Sequence, residues 1–105
     1  MVGEEPDDYL QVTAALAVLA GIAAGDAICG HVMKVRSRGQ DHRQAVSLLE
    51  RVAGADDAAK ALGRLLDMKD AAHYSSQQFT HEKVAAALHG SQVMLARMEL
   101  ILRNP

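Results

Sequence analysis

Arg36 and His42 are the two residues of this chain whose types and spacing suit chemistry on a phosphodiester. A guanidinium stabilises charge that develops on phosphate oxygens, and an imidazole carries a proton to or from the reacting oxygen. Held close on one turn, the pair can grip and cleave a phosphodiester. They lie in the stretch Lys34 to Leu49, KVRSRGQDHRQAVSLL, where Lys34, Arg38 and Arg43 add further positive charge. Cations at a helix C-terminus are also expected on electrostatic grounds alone, so a plain solvated cluster is an equally open reading here. Asp26, the one acid on the preceding apolar helix, needs a partner or water. It either orients Arg36, Arg38 or His42 or simply faces solvent or an ion pair.

The elements that must position these groups follow from composition. The chain has 105 residues, 50% of them apolar, and its aromatics are Tyr9, Tyr74 and Phe79 alone. That is one domain of closely packed helices rather than a β-sandwich. A formal net charge of −2 gives no global electrostatic footprint of a dedicated DNA-binding domain, so any nucleic-acid contact is local. Cys29 is the single cysteine, which excludes an intrachain disulfide and zinc-finger spacing and fits a cytoplasmic location with Cys29 as a small buried hydrophobe. The uncharged run from Ala14 to Gly25 is twelve residues, short of the ~20 that cross a bilayer, and reads as a core helix with no membrane role. Glu4, Glu5, Asp7 and Asp8 leave no basic region for a secretory signal.

Periodicity predicts four helices after an acidic, disordered tail over residues 1–7, with one bundle spanning 8–103. The first runs from about Asp8 to Val35, with Val12, Leu16, Leu19 and Ile22 facing a core. Ala17, Gly21 and Gly25 form a small-residue row at i, i+4 spacing, a crossing point for another helix within the chain or at a dimer seam that Gly21→Leu would weaken. Gly39 ends that helix or turns the loop, Asp41 caps the second helix with His42 at its first position, and Gly54 closes it. Ala45, Leu48, Leu49 and Val52 are its buried stripe. The third helix runs from Asp56 or Asp57 to His73, with Ala59, Leu62, Leu65, Leu66 and Lys69 on one flank; YSSQQFT then breaks the pattern. Thr80 caps a fourth helix to Arg103, with Val84, Leu88, Leu95, Met98 and Leu102 as its stripe. Short connections predict an all-α, antiparallel up-and-down four-helix bundle. That topology brings the 36–42 turn and the 73–80 loop to one end, so His42, His73 and Tyr74 share a neighbourhood. The five histidines lack chelating spacing and no Gly-rich phosphate loop is present, so neither a metal nor a cofactor is expected.

A long first helix, then DHRQAVSLLERV, then LLDMKDAAHY, then a polar loop and THEKVAAALHGSQVMLARMELIL resembles the HEPN domain over residues 10 to 103. Asp41-His42 with Leu48-Leu49 matches the family's start of the second helix. Lys69 with Ala72-His73-Tyr74 matches the end of the third, and Thr80-His81-Glu82 the start of the fourth. The resemblance implies a homodimeric helical bundle of a prokaryotic toxin–antitoxin or defence system, paired with a minimal nucleotidyltransferase. Some branches act on RNA as metal-independent endoribonucleases through an Arg, a short run and a His, with a polar residue after the Arg. Arg36, Ser37 and His42 satisfy that spacing, and Gln44 stands where those branches often carry a Tyr. On this resemblance Arg36 and His42 are the catalytic pair, and Asp26, Arg38, Asp41, Lys69, His73 and Tyr74 support them or bind RNA. The alternative is a non-catalytic helical module that docks a nucleotidyltransferase or another protein.

Overall fold

The computed structural model of the chain describes residues 6–34, 42–74 and 80–103, and for residues 6–8 and 71–74 the backbone alone. Four helices are present among them: α1 (Pro6–Met33), α2 (Arg43–Leu49), α3 (Asp56–Tyr74) and α4 (His81–Arg103). Proline opens α1, where its missing N–H and fixed φ cost nothing. The helix therefore takes in Pro6 and Asp7, two residues of the expected tail. It stops at Lys34, whose φ of 60° is left-handed while its N–H still donates to the Gly30 carbonyl at 3.2 Å. Termination thus precedes Gly39, which lies outside the described residues.

Thr80 caps α4 as its sequence position predicts. Its Oγ1 accepts the Lys83 N–H at 3.1 Å, satisfying one of the donors a helix start leaves open. At α2 the cap is His42 rather than Asp41. His42 is αR, lends no side-chain cap, and accepts the Ala45 N–H at its carbonyl at 3.1 Å. Asp41 lies outside the described residues. The second helix is only seven residues, after which turns lead to Gly54, left-handed at φ 82°.

Packing reverses the expected face of α1. Ala17, Gly21 and Gly25 are buried, along with Ala14, Ala24 and Ile28. Of the four residues expected in the core, Val12, Leu16 and Leu19 are 58%, 61% and 60% exposed, and Ile22 alone packs, partly buried, against it. The reason is close approach. A Cβ on Gly21 would lie 2.5 Å from Leu65 Cδ1, and one on Gly25 would lie 3.2 Å from Leu62 Cδ2 and 3.5 Å from Met94 Cε. Long side chains of α3 and α4 fill the space that α1 leaves empty. The small-residue row is therefore an intrachain crossing point, not a seam between copies. On α4 the stripe is similarly displaced: Val84, Ala87, Ser91 and Met94 are buried, while Leu88, Leu95 and Leu102 are exposed. The buried Ser91 hydroxyl is satisfied by donating to the Leu88 carbonyl at 2.9 Å.

Helix directions follow from the contacts. Gly25 meets Leu62 and Gly21 meets Leu65, so α3 runs antiparallel to α1. Asp57 bonds Arg97 and Leu65 meets Gly90, so α4 is antiparallel to α3. Leu10 and Ala14 cluster with Val84, and Gly21 and Gly25 meet Met94, so α1 and α4 run the same way. This departs from the expected up-and-down order, in which α1 and α3 would run the same way: among the described residues the two-turn α2 lies beside α1 and α3, and the alternation is carried by α1, α3 and α4 alone.

By length and composition the 25 residues Tyr9–Met33 are apolar enough to cross a membrane. A twelve-residue uncharged run understates this helix, which tolerates Asp26 within it. In this fold 44% of its most apolar window is buried, and the buried face meets α3 and α4.

Two outcomes test the core. Gly21→Leu overpacks the crossing with Leu65 and should lower the unfolding free energy by about 2–3 kcal/mol, read from urea titration; unchanged stability would contradict the close approach. Cys29 is fully buried, and burial, helped by the negative charge of Asp26, pushes its thiol above the ordinary range. A disulfide reagent should therefore label it only at the rate of global or local opening, accelerated in urea. Rapid stoichiometric labelling in buffer would place Cys29 at the surface.

Candidate functional site

His42 opens α2 and Lys69 sits in the last two turns of α3, and the fold brings them to one cleft. The cleft holds about 330 Å³ and is lined by Gln11, Ala14, Ala15, Val18, Leu19 and Ile22 of α1 together with His42 and Lys69. Twenty-six residues separate His42 from Lys69 in sequence, so antiparallel packing of α1 and α3, with α2 beside both, makes the pair.

Neighbouring Arg43 holds the arrangement in register. Its Nη2 donates to Asp67 Oδ1 and to Asp70 Oδ2, both at 2.8 Å, tying the first residue of α2 to the final third of α3. Hydrogen bonds to these carboxylates, Asp70 first and Asp67 second, hold the guanidinium even further above its ordinary range. The basic cluster expected around Lys34, Arg36, Arg38 and Arg43 is to that extent neutralised. The spacing Asp67-x-x-Asp70 on one helical face was the available signal for this clamp.

His42 itself is half-buried, and its Nδ1 is buried with no hydrogen-bond partner among the described residues. A buried polar atom left unpaired costs on the order of 1–3 kcal/mol, so such an atom in a cleft calls for an explanation. Its environment is otherwise apolar: Ala14, Ala15, Val18, Leu19 and Ile22 supply most of the lining. An imidazole and an ammonium at an apolar wall can hold an anion and move a proton beside it. Such a site does not by itself bind a metal. Among the described residues no group of three His, Cys, Asp or Glu side chains comes together as a metal site.

The remaining sequence-predicted residues distribute as follows. Asp26 is half-buried on α1, one turn beyond Ile22, and is not part of the cleft lining; its charge acts on Cys29, one turn further along. His73 and Tyr74 close α3, one turn past Lys69. Arg36, Arg38 and Asp41 lie outside the described residues. Sequence reading missed Gln11, Val18 and Leu19 as cleft walls, because periodicity assigned Leu19 to the core and gave no sign that α2 returns to the middle of α1.

Compared with models of known protein families, with curated proteins and with solved structures, the chain matches none.

Proposed function

We propose that this chain is a HEPN-like helical protein that works as a cytoplasmic homodimer in a prokaryotic toxin–antitoxin or defence pair, and that the Arg36–His42 turn cleaves RNA without a metal ion. The observation that carries the reading is the meeting of His42, whose Nδ1 has no partner among the described residues, with Lys69 in one cleft. In the proposed reaction His42 takes the proton of the attacking 2′-hydroxyl or returns one to the leaving 5′-oxygen. Arg36 stabilises the phosphorane and Lys69 holds a phosphate oxygen, with Arg38, Asp41, His73 and Tyr74 supporting the turn and the strand of RNA. The order of elements adds support: α2 opens at His42, α3 ends in Ala72-His73-Tyr74, and Thr80 caps α4, the three places where the HEPN resemblance puts its motifs. A minimal nucleotidyltransferase is the protein partner this reading implies.

A second reading is favoured by the apolar character of the cleft and of α1. Five of the eight lining residues are Ala, Val, Leu or Ile, a surface suited to docking another helix rather than a polyanion. In that case His42 and Lys69 form the polar rim of an interaction module with no catalysis.

The homodimer seam in our proposal is the outer face of α1. Tyr9, Val12, Leu16 and Leu19 stand exposed at i, i+3, i+4 spacing, and no charged side chain interrupts them. An uncharged patch can face its own copy about a two-fold axis without like-charge repulsion. Leu19 belongs to both the stripe and the cleft, so this seam sets the His42 cleft at its edge.

Two experiments test these statements. With EDTA present, the purified protein should cut single-stranded RNA, and His42→Ala should lower the rate by about 10²–10⁴-fold with unchanged circular dichroism. Cleavage unaffected by that variant would remove His42 from the mechanism, and no cleavage by the parent would leave the docking module. In sedimentation equilibrium the parent should be a dimer and Leu16→Glu with Leu19→Glu a folded monomer; a monomeric parent would end the α1 seam.

A further inference from the structure

A groove of about 350 Å³ runs between α3 and α4 and shares no lining residue with the His42 cleft. Leu65, Met68 and Val93 give it an apolar floor, and Lys60 and Arg64, one turn apart on α3, stand with His89 of α4 along its sides. Among the described residues neither Lys60 nor Arg64 takes part in an ion pair. The one carboxylate on the lining, Asp57, is occupied by Arg97 at 3.1 Å, and that hydrogen bond holds it below the usual carboxylate range. Positive charge is therefore uncompensated above an apolar surface.

A further observation points to an occupant. Gly90 lies in the middle of α4, where glycine is disfavoured relative to alanine. A Cβ there would touch Leu65 at 3.5 Å, ordinary van der Waals contact, so the packing of α4 on α3 does not require glycine. What the missing side chain does is leave the groove open.

We propose that this groove binds a small amphiphilic anion, with an apolar body of about eight to ten carbons, sized to the low end of ligand-pocket volumes, and one carboxylate or phosphate group. The body lies on Leu65, Met68 and Val93, and the anionic group meets Lys60 and Arg64. The site is independent of any activity at His42.

The test titrates octanoate, octyl phosphate and octanol into the methyl-labelled full chain and follows the signals of Leu65, Met68 and Val93. At least one of the two anions should bind about tenfold or more tightly than octanol, and the stronger of them identifies the head group. Lys60→Gln with Arg64→Gln, both exposed positions, should bring the anions down to the affinity of octanol, and Gly90→Leu should remove binding by filling the groove. Anions that bind no better than octanol, no binding at all, or shifts that gather on Val12, Leu16 and Leu19 of α1 would overturn the proposal. Should Gly90→Leu fail to fold, the Lys60 and Arg64 variant decides alone, since a groove site must lose its preference for anions there.

Discussion

Everything in this fold depends on how closely α1 lets its neighbours approach. Gly21 and Gly25 present bare backbone where Leu65, Leu62 and Met94 come to rest, and a side chain at either position would displace them. Glycine in a helix interior gives up about 1 kcal/mol relative to alanine, and the dispersion contacts of three fully or nearly fully buried long side chains offset that cost. Once Ala17, Gly21 and Gly25 are committed inward, geometry leaves Val12, Leu16 and Leu19 outward. The exposed stripe of Tyr9, Val12, Leu16 and Leu19 is thus the other side of the same constraint.

The chemical groups gather at helix ends because the long helices run in alternating directions. α3 descends along α1, so its last two turns lie beside Ala14 and Val18, and α2 is placed so that His42 reaches the same level. Arg43 then clips α2 to Asp67 and Asp70. These are partly exposed ion pairs, which contribute little to overall stability; their effect is to set the register between a two-turn helix and its neighbour. A helix as short as α2 has few buried residues of its own, chiefly Ala45 and Leu49, so directional contacts matter more for it than for α3.

Two surfaces of different character result. The outer face of α1 is apolar and uncharged, suited to meeting a like surface, while the α3–α4 groove carries Lys60, Arg64 and His89 over an apolar floor. Between the first of these and the bundle interior lies the His42 cleft, sharing Leu19 with the exposed stripe and Val18 with the core. The exposed stripe and the His42 cleft are therefore neighbours on α1, whereas on α3 Lys69 lines the cleft and Lys60 and Arg64 line the groove.

Local chemistry in the chain was enough to determine the helices themselves. Thr80 caps where a short polar side chain precedes an amphipathic run, Gly54 takes the left-handed turn, and the flank of Ala59, Leu62, Leu65 and Leu66 is buried as its 3.6-residue period demands. His42 and Lys69 were legible as chemical groups, though not as neighbours. Which face of α1 and α4 turns inward was decided only by tertiary structure. On a helix that is apolar nearly all round, periodicity cannot choose between a face of Leu and Val and a face of Ala and Gly. The choice belongs to the partner helices, whose long side chains pack best where α1 has none, and that same packing carries Lys69 back to His42.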